Sequence, residues 1–115
     1  MTEEQADQLL FTYGTLRRPE VQLDTFGRLL DGHRDILEGH TIDYADLDDA
    51  RETGTGEVSV HPILRATCNS ADKVVGVVSA MTESELHAAD DFECTLYRRV
   101  AVTLASGVGA WVYVR

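Results

Sequence analysis

The amino-acid sequence predicts a single α+β domain, residues 1–115, in which about six strands and two helices form a small closed barrel. The chain has 115 residues, of which 43% are hydrophobic and 26% charged, as is usual for one globular domain. Segments with strand character outnumber helical ones and are separated by short turn sequences. Because open edge strands invite aggregation, a short chain with so many strands is expected to protect its edges by closing into a barrel.

The first elements are a strand and a helix. Residues 1–8 are acidic and polar, and we expect them to form a frayed tail. Leu9–Tyr13 is apolar and aromatic and stops at Gly14, which predicts a buried strand that enters a tight turn. Pro19 then stands where a helix best tolerates proline, and apolar residues follow it at helical spacing. The helix is predicted to end at Gly32.

The middle of the chain predicts strands around one acidic segment. Residues 35–43 have strand composition, whereas residues 43–57 are acidic and glycine-containing and are predicted to be a solvated loop. Strand composition resumes over Val58–Ala66. Lys73–Met81 is the strongest strand signal, and its nearly continuous apolar run predicts burial on both faces.

The last third predicts a capped helix followed by a hairpin. Thr82 and Glu85 have the spacing of a capping box, so a helix is expected to start there and to run to about Phe92. Residues 97–104 and 110–114 are predicted to be strands joined by a glycine-containing turn.

Composition excludes several classes of partner. The formal net charge of −10 argues against nucleic acid and against anionic membrane surfaces, both of which attract basic patches. The N-terminal segment lacks the apolar run of a signal peptide or membrane span, so we expect a cytoplasmic protein with free thiols. The four histidines and two cysteines lack metal-ligand spacing, and we expect neither a metal nor another cofactor. The oligomeric state is not readable from the sequence.

The turn at residues 13–16 is the first candidate for chemistry. Gly14 lets the backbone approach a ligand closely, and successive amides in such a turn can form a concave cradle for an anion. Arg17 and Arg18 follow, and a helix N-terminus lies close behind them. A site for a carboxylate and a developing oxyanion is one interpretation, and an ordinary strand-to-helix turn is the other.

Glu93 is the second candidate. Leu86, Ala89 and Glu93 lie along one row of the predicted helix, which tends to turn Glu93 toward the apolar side. Desolvation and the two preceding aspartates would both raise its pKa, as a general acid or base working near neutral pH requires. The alternative is a solvated acidic helix end, with Phe92 in the inward position.

These candidates occur within a pattern that resembles the γ-glutamylcyclotransferase-like family. Tyr13-Gly14-Thr15-Leu16 is similar to the family's Y-G-[ST]-L turn, and the segment from Asp90 through Glu93 to Tyr97 and two arginines resembles its L-D-x-x-E-G…Y-x-R signature. Weaker similarities occur at His61–Leu64, Gly76–Val78 and Trp111–Val114. Cys94 replaces the family's usual glycine and Ala89 its usual leucine, which puts the shape of the pocket wall in doubt.

The resemblance implies a small barrel and a reaction that turns a small γ-glutamyl amide into 5-oxoproline and a free amine, without cofactor or metal. It implies that Glu93 is the catalytic base and acid. The backbone of Gly14, Thr15 and Leu16 would bind the substrate's carboxylate and oxyanion, and Tyr13 and Tyr97 would line the pocket.

Two alternatives remain open at this point. The chain could be a non-catalytic binding or interaction module on the same fold, in which Glu93 would point to solvent or pair with Arg98 or Arg99. In the enzyme, Glu93 would lie at the base of a cavity and face the amides of residues 14–16. The γ-glutamyl group could also be carried on a larger molecule, and the amine leaving group is not readable from the sequence.

Overall fold

A computed structural model describes residues 5–48, 58–93 and 97–115. Two helices occur in them, α1 (Pro19–Phe26) and α2 (Glu83–Glu93), and a single 3₁₀ turn, Thr15–Arg17, precedes α1. In chain order the strands are β1 (Gln8–Thr12), β2 (Gly32–Glu38), β3 (His40–Asp48), β4 (Val58–Ala66), β5 (Lys73–Met81), β6 (Arg98–Thr103) and β7 (Gly109–Val114).

The strands form a five-stranded sheet with the order β2-β5-β1-β7-β6 and a separate β3-β4 hairpin. All neighbours are antiparallel except β1 and β7, which run parallel. This arrangement confirms the predicted α+β class.

The predicted barrel is not closed by a ladder of strands within the described residues. Instead, the two edges of the large sheet meet just after β6. The amide of Ala105 donates to the carbonyl of Ile36 in β2 at 2.8 Å, and the hydroxyl of Ser106 donates to Asp35 at 2.5 Å. These contacts satisfy polar groups at the sheet edges, which is the function that the predicted closure would have served.

Each face of the large sheet carries a hydrophobic cluster, because side chains alternate along every strand. Phe11 and Tyr13 belong to one cluster, with Leu37, Leu64, Val74, Val78, Leu104, Ala110 and Val112. Leu10 and Tyr113 belong to the other, which the helices cover and which also contains Leu16, Met81, Leu86 and Ala89. The predicted burial of β5 on both faces is wrong, since Val75 is 56% exposed and Ala80, near the other end of the strand, is also exposed.

Glycines account for the main differences from the predicted elements. The helix α1 ends at Phe26 rather than near Gly32, because Gly27 takes the left-handed conformation (φ 73°) and its amide returns to the carbonyl of Leu23. The segment predicted as one strand is two, β2 and β3, joined at Gly39, where φ is also 73°. Residues 43–48, predicted as loop, belong to β3, and the remainder of that loop lies outside the described residues.

Two further properties hold for the described part of the chain. None of its helices has the length and apolar character needed to cross a membrane. Its histidine, cysteine and carboxylate side chains form no group of three or more that could hold a metal ion.

Candidate functional site

The turn after β1 is tightly packed. The amide of Arg17 donates to the carbonyl of Gly14 at 3.1 Å and closes the 3₁₀ turn. A Cβ atom on Gly14 would lie 3.1 Å from Cγ of Pro62, so a larger residue there would crowd this proline. The first backbone N–H groups of a helical turn have no acceptor within the turn. The sequence analysis assigns these N–H groups, in residues 14–16, to a ligand's carboxylate and oxyanion.

Leu16 occupies this turn in a different way. Its side chain is 4% exposed and packs in the cluster beneath the helices, so only its backbone can face a ligand. The Gln22 side chain donates to its carbonyl at 2.9 Å and fixes the turn to α1. Thr15 lies in the 3₁₀ turn, and its side chain is outside the described part of the structure.

Glu93 is the last residue of α2 and is buried, with 7% of its surface exposed. The helix starts at the predicted capping box, in which the Thr82 amide donates to Glu85 at 2.9 Å and the Glu85 amide donates to the Thr82 hydroxyl at 3.1 Å. From this start, the helical period buries one row of residues, Leu86, Ala89 and Glu93. Of the two positions that the sequence left open for Glu93, the structure therefore shows the inward one.

Two tyrosines next to strand ends, Tyr13 after β1 and Tyr97 before β6, lie close to Glu93. The hydroxyl of Tyr13 donates to the carbonyl of Tyr113 at 2.6 Å, and that of Tyr97 donates to the carbonyl of Pro62 at 2.6 Å. Burial raises the pKa of Tyr13 well above its ordinary value, and the charges of Tyr97 and Glu93 raise it further. Tyr97 and Glu93 therefore both lie close enough to Tyr13 to interact with it electrostatically, and we refer to the surroundings of these three residues as one neighbourhood.

Tyr113 belongs to the same neighbourhood. Burial raises its pKa most, followed by its hydrogen bond to Asp90, and Glu93 contributes in the same direction. The charge of Glu93 thus acts on two phenols, that of Tyr13 just after β1 and that of Tyr113 in β7. At this depth both phenols remain protonated near neutral pH and can only donate or accept hydrogen bonds.

An ion pair that the sequence did not predict lies beside these groups. Arg99 donates to both carboxylate oxygens of Asp90, at 2.8 and 3.0 Å, and the Tyr113 hydroxyl donates to the same carboxylate at 2.7 Å. Of the two neighbouring arginines, Arg99 is therefore bound to Asp90. The only available signal was opposite charge, because the partners come from three different elements, α2, β6 and β7.

An open cavity of about 340 Å³ borders this ion pair. It is lined by Asp90, Asp91, Tyr97, Arg98, Arg99 and Tyr113. Acidic and basic side chains both occur in the lining, so the cavity does not carry a purely negative charge. Asp43, the first residue of the acidic segment, is paired with Arg65 at 2.6 Å on the β3-β4 hairpin.

The structure brings together most of the predicted site residues. Tyr13, Tyr97 and Glu93 share one neighbourhood, and Pro62 contacts both Gly14 and Tyr97. Glu93 is buried rather than solvent-facing, but the described residues that line the neighbouring cavity include neither Glu93 nor residues 14–16, so burial alone does not separate the enzyme from the binding module. Cys94, the main departure from the family pattern, lies outside the described residues.

Residues 10–115 match the family model described as gamma-glutamyl cyclotransferase, AIG2-like. No curated protein is significantly similar to the chain in sequence.

Solved structures with the same fold include a solution structure from Arabidopsis thaliana, with a TM-score of 0.71 and 23% identity over 99% of this chain and 66% of that one. A gamma-glutamyl cyclotransferase has a TM-score of 0.72 and 18% identity over 93% of this chain and 65% of that one. A mouse AIG2-like protein has a TM-score of 0.63 and 22% identity over 94% of this chain and 76% of that one. At these identities the likeness shows the fold alone, and the chain spans about two thirds of the length of the first two proteins.

Proposed function

The chain belongs to the AIG2-like gamma-glutamyl cyclotransferase family, and from this membership we propose that it converts a γ-glutamyl amide into 5-oxoproline and a free amine. The observation that carries the proposal is the burial of Glu93, at 7% exposure, beside Tyr13 and the turn that follows β1. A buried carboxylate among phenols is a suitable proton carrier for chemistry at neutral pH.

The reaction forms and breaks one bond at the same carbon. The substrate's α-amine attacks its own γ-carbonyl carbon, a C–N bond closes the five-membered ring, and the original amide C–N bond then breaks. Nucleophile and electrophile belong to one molecule, so the protein's main task is to hold them in an attack geometry. Such orientation can lower a barrier by up to about 7–11 kcal/mol in the best intramolecular cases.

Glu93 carries the proton in this mechanism. As a carboxylate it takes a proton from the α-ammonium group, which makes the amine nucleophilic. As a carboxylic acid it returns that proton to the nitrogen of the leaving amine. The attacking nitrogen loses a second proton when it becomes the lactam N–H, and this proton is carried away by the released amine as its ammonium ion. Glu93 therefore ends each turnover as the carboxylate with which it began.

The backbone of residues 14–16 supplies the donors for negative charge. Amides at the start of the 3₁₀ turn would hold the α-carboxylate and the oxyanion that forms on the γ-carbonyl oxygen. The close contact between Gly14 and Pro62 supports this role because it brings a second segment against the turn. Tyr13 and Tyr97 would form the side walls, with hydroxyls already bound to backbone carbonyls.

The leaving amine would extend toward the open cavity next to the Asp90–Arg99 pair. Its lining contains Asp91 and Arg98 in addition to that pair, so charge alone does not favour a cationic amine. Free dipeptides and larger carriers both remain compatible with an open cavity. The leaving group is therefore a matter for direct assay.

The test is a product assay with a matched pair of variants. The parent, Glu93→Gln and Glu83→Gln are incubated with γ-glutamyl dipeptides, glutathione, γ-glutamyl polyamines and γ-glutamyl-ε-lysine, and 5-oxoproline is measured by mass spectrometry. Glu83 is the control because it lies on the same helix with 73% of its side chain exposed. We expect Glu93→Gln to lose about 100-fold or more in turnover, and Glu83→Gln to retain it.

Three outcomes separate the possible functions. Substantial activity in Glu93→Gln would mean that another group carries the proton. Loss in that variant alone would support the mechanism, and the best substrate would identify the leaving amine. No product from the parent with any substrate would favour a binding module or a substrate larger than those tested.

A further inference from the structure

Tyr113 contacts both halves of the proposed site. Its carbonyl accepts the hydrogen bond from the Tyr13 hydroxyl at 2.6 Å, and its own hydroxyl donates to Asp90 at 2.7 Å. Tyr13 immediately precedes Gly14, and Asp90 lies one helical turn before Glu93 on α2. One residue of β7 therefore connects the turn that carries the amides with the helix that carries the glutamate.

Asp90 is held in place from the other side by Arg99. Two parallel bonds of 2.8 and 3.0 Å join the guanidinium to the carboxylate, an arrangement that fixes both groups. The guanidinium also lies 4.3 Å from the ring centroid of Trp111, whose indole N–H donates to Gln8. The two charged side chains are 34% and 20% exposed, so solvent screens them only in part.

A second ion pair on the same helix provides a comparison. Arg28 pairs with Glu85 at 2.7 Å, and this pair fixes the first turn of α2. Arg28 also donates to the carbonyl of Ala80, and within the described part of the chain its hydrogen bonds do not reach the turn at residues 13–16. The Asp90–Arg99 pair differs because it is bonded to Tyr113 and, through it, to Tyr13.

We propose that Arg99, Asp90 and Tyr113 are positioning residues that hold Glu93 at a fixed separation from the amides of residues 14–16 and tune its proton affinity. The proposal rests on the proposed role of Glu93 as the proton carrier. None of the three needs to touch the reacting atoms. Their effect passes through the end of α2 and through the charges that they place beside it.

The charges near Glu93 come from several elements, and their signs give the proposal a direction. The charge of Glu93 acts on Tyr13, which follows β1, and on Tyr113 of β7. Tyr97 also acts on Tyr13, and Asp90 and Arg99 also act on Tyr113. The tyrosines are neutral near pH 7, so the fixed charges here are those of the ion pair and of Asp91 and Arg98, which line the same cavity. Removing the negative member should lower the pKa of Glu93, and removing the positive member should raise it.

The first arm of the test measures Glu93 without using turnover. The carboxyl carbon of Glu93 is titrated by NMR in the parent, Asp90→Asn, Arg99→Gln and the control Arg28→Gln. We expect the Glu93 pKa to fall by about 0.5–1 unit in Asp90→Asn and to rise by a similar amount in Arg99→Gln. Arg28→Gln should leave it unchanged, because that pair lies at the other end of the helix.

The second arm measures the mechanical link. Tyr113→Phe keeps the ring and removes the hydroxyl, so it separates Asp90 from β7. We expect kcat to fall about tenfold with KM within about twofold, and the amide resonances of Gly14 and Leu16 to shift. Arg99→Lys, which keeps the charge but not the paired bonds, should restore the Glu93 pKa but only part of kcat.

The outcomes distinguish this inference from the proposed function. Asp90→Asn and Arg99→Gln could lower the melting temperature while the Glu93 pKa stays as it is in the control Arg28→Gln. In that case the ion pair is merely structural and the inference is wrong. The inference would also be overturned if Tyr113→Phe left both kcat and the amide chemical shifts of Gly14 and Leu16 unchanged. If the parent forms no 5-oxoproline, the proposed function fails, while the titration and amide shifts still decide whether the network positions Glu93.

Discussion

Gly76 is expected to be the glycine least replaceable by alanine in the described strands. A Cβ atom there would lie 2.5 Å from the carbonyl oxygen of Thr12 and 2.6 Å from Cζ of Phe11. Neither neighbour can move easily, since the first is backbone of β1 and Phe11 is only 1% exposed. The clash also falls on the last residue of β1, immediately before the turn of the proposed site.

The size of the effect follows from these contacts. Overpacking a core costs about 1–3 kcal/mol, and a clash with backbone should reach the upper end of that range. We therefore expect Gly76→Ala to lower the free energy of unfolding by about 3 kcal/mol. For a domain of this size, this corresponds to a fall in melting temperature of roughly 12 °C.

Gly109→Ala is the matched control, because Gly109 also lies in a strand and a Cβ there would meet nothing within 4 Å. Its effect should stay within about 0.5 kcal/mol. Urea denaturation followed by the fluorescence of Trp111, the single tryptophan, gives both values. Equal unfolding free energies for the two variants would show that the contact between β5 and β1 does not require glycine.

Two further predictions concern the turn and the second helix. Gly14→Ala should place a Cβ 3.1 Å from Pro62 and displace the Pro62 carbonyl that accepts the hydrogen bond from Tyr97. We therefore expect a lower kcat/KM for 5-oxoproline formation, with the free energy of unfolding within about 1 kcal/mol of the parent. Unchanged kinetics would contradict a role for this contact. The hydrogen bond from Arg28 holds the pKa of Glu85 below its ordinary 4.5, so this bond stabilises the fold above pH 4.5 and its contribution is lost as the pH falls through the lower, folded-state value. The stability difference between the parent and Glu85→Gln should therefore shrink between pH 6 and pH 3 in urea denaturation, and a constant difference would contradict it.

Local patterns in the sequence were sufficient for the elements that carry the glutamate. The capping box and the helical period depend on residues within three or four positions of one another, so the start of α2 and the burial of Glu93 could be predicted. The bounds of β4 and β5 were also predicted correctly from strand composition. Each of these features is decided mainly by neighbours along the chain.

Other features depend on choices that the sequence leaves open. The sequence predicted that α1 ends at Gly32, with Gly27 inside the helix, but the left-handed conformation that ends it occurs at Gly27. Gly39 looked like part of a continuous strand but forms the corner of a hairpin. The Asp90–Arg99–Tyr113 network joins α2, β6 and β7, so no local period could reveal it.

The depth of Glu93 also bears on the choice between an enzyme and a binding module. A module needs only complementarity to its ligand, and a glutamine or an aliphatic residue at the end of the Leu86–Ala89 row would avoid the cost of burying a carboxylate. A cyclotransferase needs a group that gains and loses a proton near neutral pH, which a partly desolvated carboxylate provides and an amide does not. A buried carboxylate at this position is therefore suited to proton transfer, whereas binding alone does not require a group that changes its protonation. This reasoning favours the enzyme as the first hypothesis to test.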